Sequence, residues 1–161
     1  YGLVALGLRD DRAIDEAWER VSGALAKADP DADSILLEEM IETGLEAILG
    51  LQRDPIVGPV IVVGAGGILV ELLGDASVLV PPFSMDEVKH ALGKTKFGRL
   101  LTGFGGPSYG MDGLGRAAVA LGQLALEEPR LGSIDVNPLM VQPDQGGVIA
   151  LDAKIVLGAP A

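Results

Sequence analysis

The residues best suited to chemistry stand near the C-terminal end of the sequence. Asp135-Val136-Asn137-Pro138-Leu139 and Leu151-Asp152-Ala153-Lys154 flank Pro143-Asp144-Gln145-Gly146-Gly147, a run of turn formers. A turn centred on Asp144-Gln145 sets Asn137 opposite Asp152 and Asp135 opposite Lys154. Opposed side chains on one face of an antiparallel pair have Cβ atoms about 4.5–5.5 Å apart. That suits two oxygen ligands on one Mg2+, an ion that takes one or two protein ligands and fills its shell with phosphate and water. The same residues also fit a surface hairpin with a structural Asn-Pro turn, and a one-residue slip would separate the two oxygens.

A second group lies earlier. Glu38-Glu39-Met40-Ile41 leaves an expected strand and precedes another that carries Glu46. Chain leaving a strand offers alternating C=O and N–H groups that can meet an adenine edge. Met40 would lie against the ring, and a carboxylate a few residues on could accept from ribose hydroxyls. The alternative is a pair of solvated acids at a strand end. Glu71, inside the apolar run Ile68 to Leu73, either faces a site or points outward from a half-exposed strand, because an ionised acid is costly to bury without a partner.

Three further features carry less. Val60-Ile61-Val62-Val63-Gly64-Ala65-Gly66-Gly67 looks like the opening of a dinucleotide-binding unit, but Leu69 holds the third glycine position and Ile68 to Leu73 is too short for a crossover helix. A strand, glycine loop and second strand are expected there instead, with loop N–H groups still able to face phosphate. His90, the one histidine, sits on a short helix among Lys89, Lys94, Lys96 and Arg99 and is expected at the surface. Ser108 and Tyr109 have no base beside them in sequence, so no hydrolase triad assembles.

The elements that must position these groups follow from patterning. Asp10 and Asp11 open a helix to about Ala28, with Ile14, Trp18, Val21 and Leu25 at helical spacing. Strands are expected at Leu3 to Leu8, Ser34 to Glu39, Leu45 to Gln52, Val57 to Val63, Ile68 to Leu73, Ser133 to Val141 and Val148 to Val156. Ser84-Met85-Asp86-Glu87 is a capping box for a helix to about Leu92. The glycine-rich stretch 103–115 is expected as a loop, and Leu114, Ala118, Leu121 and Ala125 mark a helix ended by Pro129. Strands in succession with helices inserted singly give an α+β fold with a largely antiparallel sheet.

At 161 residues the chain is long enough for one core. Its net charge of −11 argues against nucleic-acid binding, which needs a basic face to displace counterions. An acidic protein cannot attract a polyphosphate by its overall field, so a nucleotide site must rely on local N–H groups, metal ions and a few placed cations. Cysteine is absent, which removes disulfides, thiolate zinc sites and a thiol nucleophile. The apolar runs are shorter than the ~18 residues of a membrane helix, and no charged-then-apolar leader opens the chain. A cytoplasmic protein with no membrane partner is expected.

Taken in chain order, these segments resemble the ATP-grasp domain of NDP-forming acyl-CoA synthetases, relatives of the succinyl-CoA synthetase β subunit. The likeness runs through Gly2-Leu3-Val4-Ala5-Leu6-Gly7-Leu8, Leu37-Glu38-Glu39-Met40, Gly44-Leu45-Glu46, Arg53-Asp54-Pro55 with Gly58-Pro59-Val60, and Gly66-Gly67-Ile68 with Val70-Glu71. It continues through Leu100-Leu101 with Gly103, Asp135-Val136-Asn137-Pro138-Leu139 and Leu151-Asp152-Ala153. The resemblance implies Mg2+ on Asn137 and Asp152, an adenine hinge at Glu38, Glu39, Met40 and Ile41, a ribose contact at Glu46, and Gly66-Gly67 bordering the site. It implies ATP or another NTP/NDP as ligand, and the reaction acyl-CoA + NDP + phosphate ⇌ acid + CoA + NTP. CoA-binding and ligase domains, fused or in a separate subunit, would supply CoA and a small carboxylic acid.

Within that frame, residues 1–45 would be part of the N-terminal nucleotide-binding lobe and residues 46–161 the C-terminal lobe. The family's phosphate-reaching lysine would lie upstream of Tyr1, so residues 1–161 alone are expected to be inactive. Gly105 stands where the family often has the arginine of Gly-x-Arg-Gly. That departure leaves room for a non-catalytic regulatory module fused to an acyltransferase. A third reading, an α+β interaction domain without nucleotide, would be favoured by Asn137 and Asp152 on opposite faces. The sequence names no catalytic residue.

Overall fold

Alternating apolar residues build the sheet that dominates the chain. In the computed structural model, which describes residues 1–41, 44–67, 69, 73–144 and 146–158, strand β1 (Leu45–Asp54) buries Ala47, Leu49 and Leu51. Strand β2 (Gly58–Ala65) places Ile61, Val63 and Ala65 directly across from them. β3 (Ala76–Leu79) pairs with β2. β4 (Leu131–Val141) pairs with the other edge of β1, and β5 (Val148–Ala150) and β6 (Ala153–Leu157) share the far edge of β4. Among the described residues every pairing is antiparallel, in the order β3-β2-β1-β4-β5 with β6 also on β4.

One face of this sheet carries helices. They are α2 (Met85–Gly93), α3 (Lys96–Leu101) and α4 (Met111–Glu127). Val88, Leu92, Phe97, Leu101, Leu114 and Ala118 meet the apolar strand residues in a common core, all of them buried. Ser84 caps α2 through the expected box, with Glu87 bonding back to the Ser84 N–H at 2.8 Å. The helices leave the sheet's second face, on which Ile48, Gly50, Val60 and Val62 are only half-buried, open.

Arg53, at the end of β1, locks the sheet to the end of α4. Its guanidinium donates to the carbonyls of Ala125 at 2.7 Å, Glu128 at 3.0 Å and Leu131 at 2.5 Å. Asp54 closes the following turn, its Oδ1 accepting from the N–H groups of Ile56 and Val57. Those bonds, Val57's first, hold the Asp54 carboxyl below its ordinary range. The Arg53-Asp54-Pro55 segment is thus a structural device.

The chain divides into two units, Tyr1–Glu42 and Thr43–Ala161, and the sheet belongs to the second. The first contains α1 (Asp11–Ala28), capped by the Asp10 carboxylate on the Ala13 N–H at 2.8 Å, with Ala17 and Val21 buried.

Several expectations are corrected. Leu3 to Leu8 and Ser34 to Glu39 are not strands. Gly2 and Gly7 take positive φ values of 70° and 68° and interrupt the first run, and Val4, Leu6 and Leu36 are exposed rather than packed in a ladder. Of the expected Ile68 to Leu73 strand, the described residues, Leu69 and Leu73, are helical instead. Ile68, Val70, Glu71 and Leu72 lie outside the described residues. β2 consequently finds its hairpin partners in β1 and β3, not across the glycine turn. The loop at 103–115 ends at Gly110, where α4 begins. β3 and α3 were not anticipated. Their sequences, Ala76-Ser77-Val78-Leu79 and Lys96-Phe97-Gly98-Arg99-Leu100-Leu101, are too short for periodicity to show.

Candidate functional site

The hairpin that holds Asn137 and Asp152 has an irregularity at that point. Between β1 and β4 the register steps from Leu49↔Val136 to Ala47↔Leu139, so Asn137 and Pro138 together oppose Ile48. This is a β-bulge, a device that re-aims a side chain and is over-represented beside active sites. Val136 and Leu139 both pack against the core. Asn137 therefore falls on the open face, in line with Asp135. The Asn137-Pro138 peptide is cis.

On the other edge of β4 one register holds from Ser133 to Val141: Asp135 faces Lys154, Val136 faces Ala153 and Leu139 faces Ala150. The Asn137 N–H donates to the Asp152 carbonyl at 3.1 Å, and the Leu151 N–H to that of Pro138 at 3.0 Å. Asn137 thus lies opposite Asp152, as the turn spacing predicts. Asp144 has the positive φ of a turn residue, 51°, while Gln145 lies outside the described residues. Asp135, Asn137, Asp152 and Lys154 are all exposed. None of their side chains makes a hydrogen bond or ion pair among the described residues. Asp135 and Lys154 are ladder partners without being an ion pair.

Glu46 shares the open face, since its neighbours Leu45 and Ala47 point to the core. Its backbone carbonyl accepts from the Gly66 N–H at 2.8 Å. Gly66 is pressed so close to β1 that a Cβ there would lie 2.8–3.0 Å from the Ala47 backbone. Gly67 has φ +53°, and a Cβ there would land on the Glu46 carboxylate. The structure therefore brings Glu46, Gly66 and Gly67 together, with Gly66 required by close approach to backbone and Gly67 favoured by its positive φ.

Glu38, Glu39 and Met40 are exposed and Ile41 half-buried, in a segment of the first unit without regular structure. His90 is exposed on α2. Gly105 has φ +79°, a left-handed backbone that side chains other than glycine's rarely adopt. The contact of Glu46 with Gly67 was not legible in sequence, since it depends on how the turn after β2 folds back over β1.

The donor set fits a magnesium ion. Asn137, at the β4 bulge, and Asp152, between β5 and β6, offer hard oxygens from neighbouring backbone segments, and among the described residues no protein group competes for them. Among the described residues no cluster of three or more His, Cys, Asp or Glu side chains could hold a metal alone. A metal here would therefore draw its remaining ligands from phosphate and water. No helix among the described residues is long and apolar enough to cross a membrane.

Residues 1–157 match the ATP-grasp domain family. Over 159 residues the chain is 33% identical to the β subunit of the ADP-forming acetate–CoA ligase I of Pyrococcus furiosus, covering 97% of this chain and 68% of that subunit. It is 32% identical to a trans-feruloyl-CoA synthase of an unknown prokaryotic organism, covering 97% of this chain but 22% of the synthase. Among solved structures it resembles the dinucleotide-forming acetyl-coenzyme A synthetase 1 of Ca. Korarchaeum cryptofilum in complex with coenzyme A and Mg-AMPPCP. That likeness has a TM-score of 0.81 at 29% identity and covers 96% of this chain and 67% of the other. The chain thus spans about a fifth of the longer relative and about two thirds of the separate subunit.

Proposed function

This chain belongs to the ATP-grasp domain family of NDP-forming acyl-CoA ligases, and we propose that it is the nucleotide- and Mg2+-binding part of such a ligase. The reaction would be acyl-CoA + NDP + phosphate ⇌ acid + CoA + NTP. The observation that carries this reading is the bulged hairpin that sets Asn137 opposite Asp152 on the open face of the sheet. The Mg-AMPPCP complex of the Korarchaeum relative supports it.

In this reading Asn137 and Asp152 hold the metal, which when bound neutralises charge on the phosphates. Glu46, steadied against Gly67, accepts from the ribose hydroxyls. Glu38, Glu39, Met40 and Ile41 form the adenine edge, through backbone polar groups and the apolar Met40 and Ile41. Residues 1–45 contribute to one nucleotide-binding lobe and residues 46–161 form the other. CoA-binding and ligase domains, fused or in a partner subunit, bring CoA and a small carboxylic acid. CoA and nucleoside phosphates are intracellular metabolites, so the proposed location is the cytoplasm.

Gly105 favours one alternative, a regulatory module that binds nucleotide without turnover, because the loop lacks the cation of Gly-x-Arg-Gly. One assay separates the two. The intact protein, given an acyl-CoA, ADP and phosphate, should release CoA and form ATP in equal amounts. Mg-ATP binding with no ATP formation from any acyl-CoA tried would support the regulatory module instead.

A further inference from the structure

The open face is short of positive charge, and one residue supplies what there is. Among the described residues, Glu46, Asp135 and Asp152 supply three carboxylates there, against the single ammonium of Lys154, for a net charge of −2. Only two strand residues in the sheet are cations, Arg53 and Lys154. Arg53 is consumed by the carbonyls of Ala125, Glu128 and Leu131. The helix cations Lys89 and Lys96 belong to elements on the covered face. Lys89 is paired with Asp112, and Lys96 donates to the Leu73 carbonyl. Arg99 lies over the Phe104 ring, 4.4 Å from its centroid.

Lys154 is different. It follows Asp152 by two residues, about 7 Å along extended chain. It is exposed, and although Asp135 is its ladder partner the two form no ion pair. A flexible ammonium with no partner among the described residues, one step from a metal-type ligand pair, suits a phosphate oxygen. Without Lys154 the three carboxylates amount to −3, so a divalent ion alone would leave the face at −1. The nucleotide's own phosphate charge then calls for a further cation, which the overall field of a chain at −11 does not provide.

Resting on the nucleotide reading above, we propose that Lys154 is a phosphate-binding residue of this site, contacting the nucleotide's phosphates beside the Asn137–Asp152 metal position. A charge-assisted hydrogen bond of this kind corresponds to roughly tenfold or more in affinity.

The test is calorimetric titration of the intact protein and its K154A, K154R and D152A variants with Mg-ATP and with adenosine. K154A should bind Mg-ATP about tenfold or more weakly and adenosine as the unsubstituted protein does, and K154R should recover most of the loss. If K154A binds Mg-ATP within twofold of the unsubstituted protein while D152A loses it, the role of Lys154 is refuted and the metal reading stands. Equal weakening of Mg-ATP and adenosine in K154A also refutes it, because the loss would then not be at the phosphates. If the unsubstituted protein binds neither ligand, both readings fall together.

Discussion

Replacing Arg53 by methionine removes the guanidinium and keeps an apolar stem of similar length. Three hydrogen bonds are lost, to the carbonyls of Ala125, Glu128 and Leu131, at a part-buried site. Each is worth about 1 kcal/mol net, and a cation at a helix C-terminus adds about 0.3–1 kcal/mol. Water can reach some of the freed carbonyls, so the expected cost of R53M is about 2–4 kcal/mol. R53K keeps the charge but not the planar fork, and should recover roughly half. Urea denaturation measures both, and the m-value should stay unchanged so that the midpoint shift is a stability change. Leu131 is six residues from Asn137, about 20 Å along an extended strand. Well below the unfolding transition, R53M should therefore bind Mg-ATP within twofold of the unsubstituted protein. A loss of stability under 0.5 kcal/mol would refute the clamp, and a large loss of nucleotide affinity in folded R53M would refute its separation from the site.

The glycines beside Glu46 make a paired prediction. G66A forces a methyl group into the Ala47 backbone and should cost about 1–3 kcal/mol in urea denaturation. G67A meets only the movable Glu46 carboxylate and a left-handed φ, so it should cost about 1–2 kcal/mol and displace Glu46. If Glu46 serves the ribose, G67A and E46Q should both narrow the preference for ATP over 2′,3′-dideoxy-ATP in competition binding. The capping box gives a pH dependence. The Ser84 N–H, and after it the Ser84 hydroxyl, hold the Glu87 carboxyl below its ordinary range. A depressed folded pKa contributes stability that is present above the unfolded value of about 4.3 and lost as pH falls through the folded one. Glu128, lowered to about 2 first by its side-chain bond to Arg130, acts in the same direction. Denaturation profiles of E87Q and E128Q between pH 7 and pH 2 should both show a shallower acid limb than the unsubstituted protein.

The site hairpin was legible in sequence because three local signals agreed. Pro143 to Gly147 sets a turn, the strands on either side are apolar, and a single register puts Asn137 against Asp152. The bulge that directs Asn137 to the open face was not legible, since it arises from how β4 meets β1, a strand about ninety residues earlier. Strand β1, α1 and α2 were read nearly to their ends from periodicity and caps. Apolar runs misled where they had no ladder partner, at Leu3 to Leu8 and Ser34 to Glu39. They misled again at Leu69 and Leu73, because β-branched and apolar content in a six-residue run does not separate strand from helix. Arg53 looked like part of a family motif, and only its three carbonyl partners show it to be structural.

The account turns on one pair of oxygens, those of Asn137 and Asp152, and Mn2+ can report on them directly. Electron paramagnetic resonance of the intact protein titrated with Mn2+ and a non-hydrolysable ATP analogue should show a protein–Mn–nucleotide complex. N137A and D152A should each lose that complex or weaken it by about tenfold or more, on the scale of a charge-assisted contact, while remaining folded by circular dichroism. An unchanged Mn–nucleotide complex in folded D152A would contradict the assignment of this hairpin as the metal site.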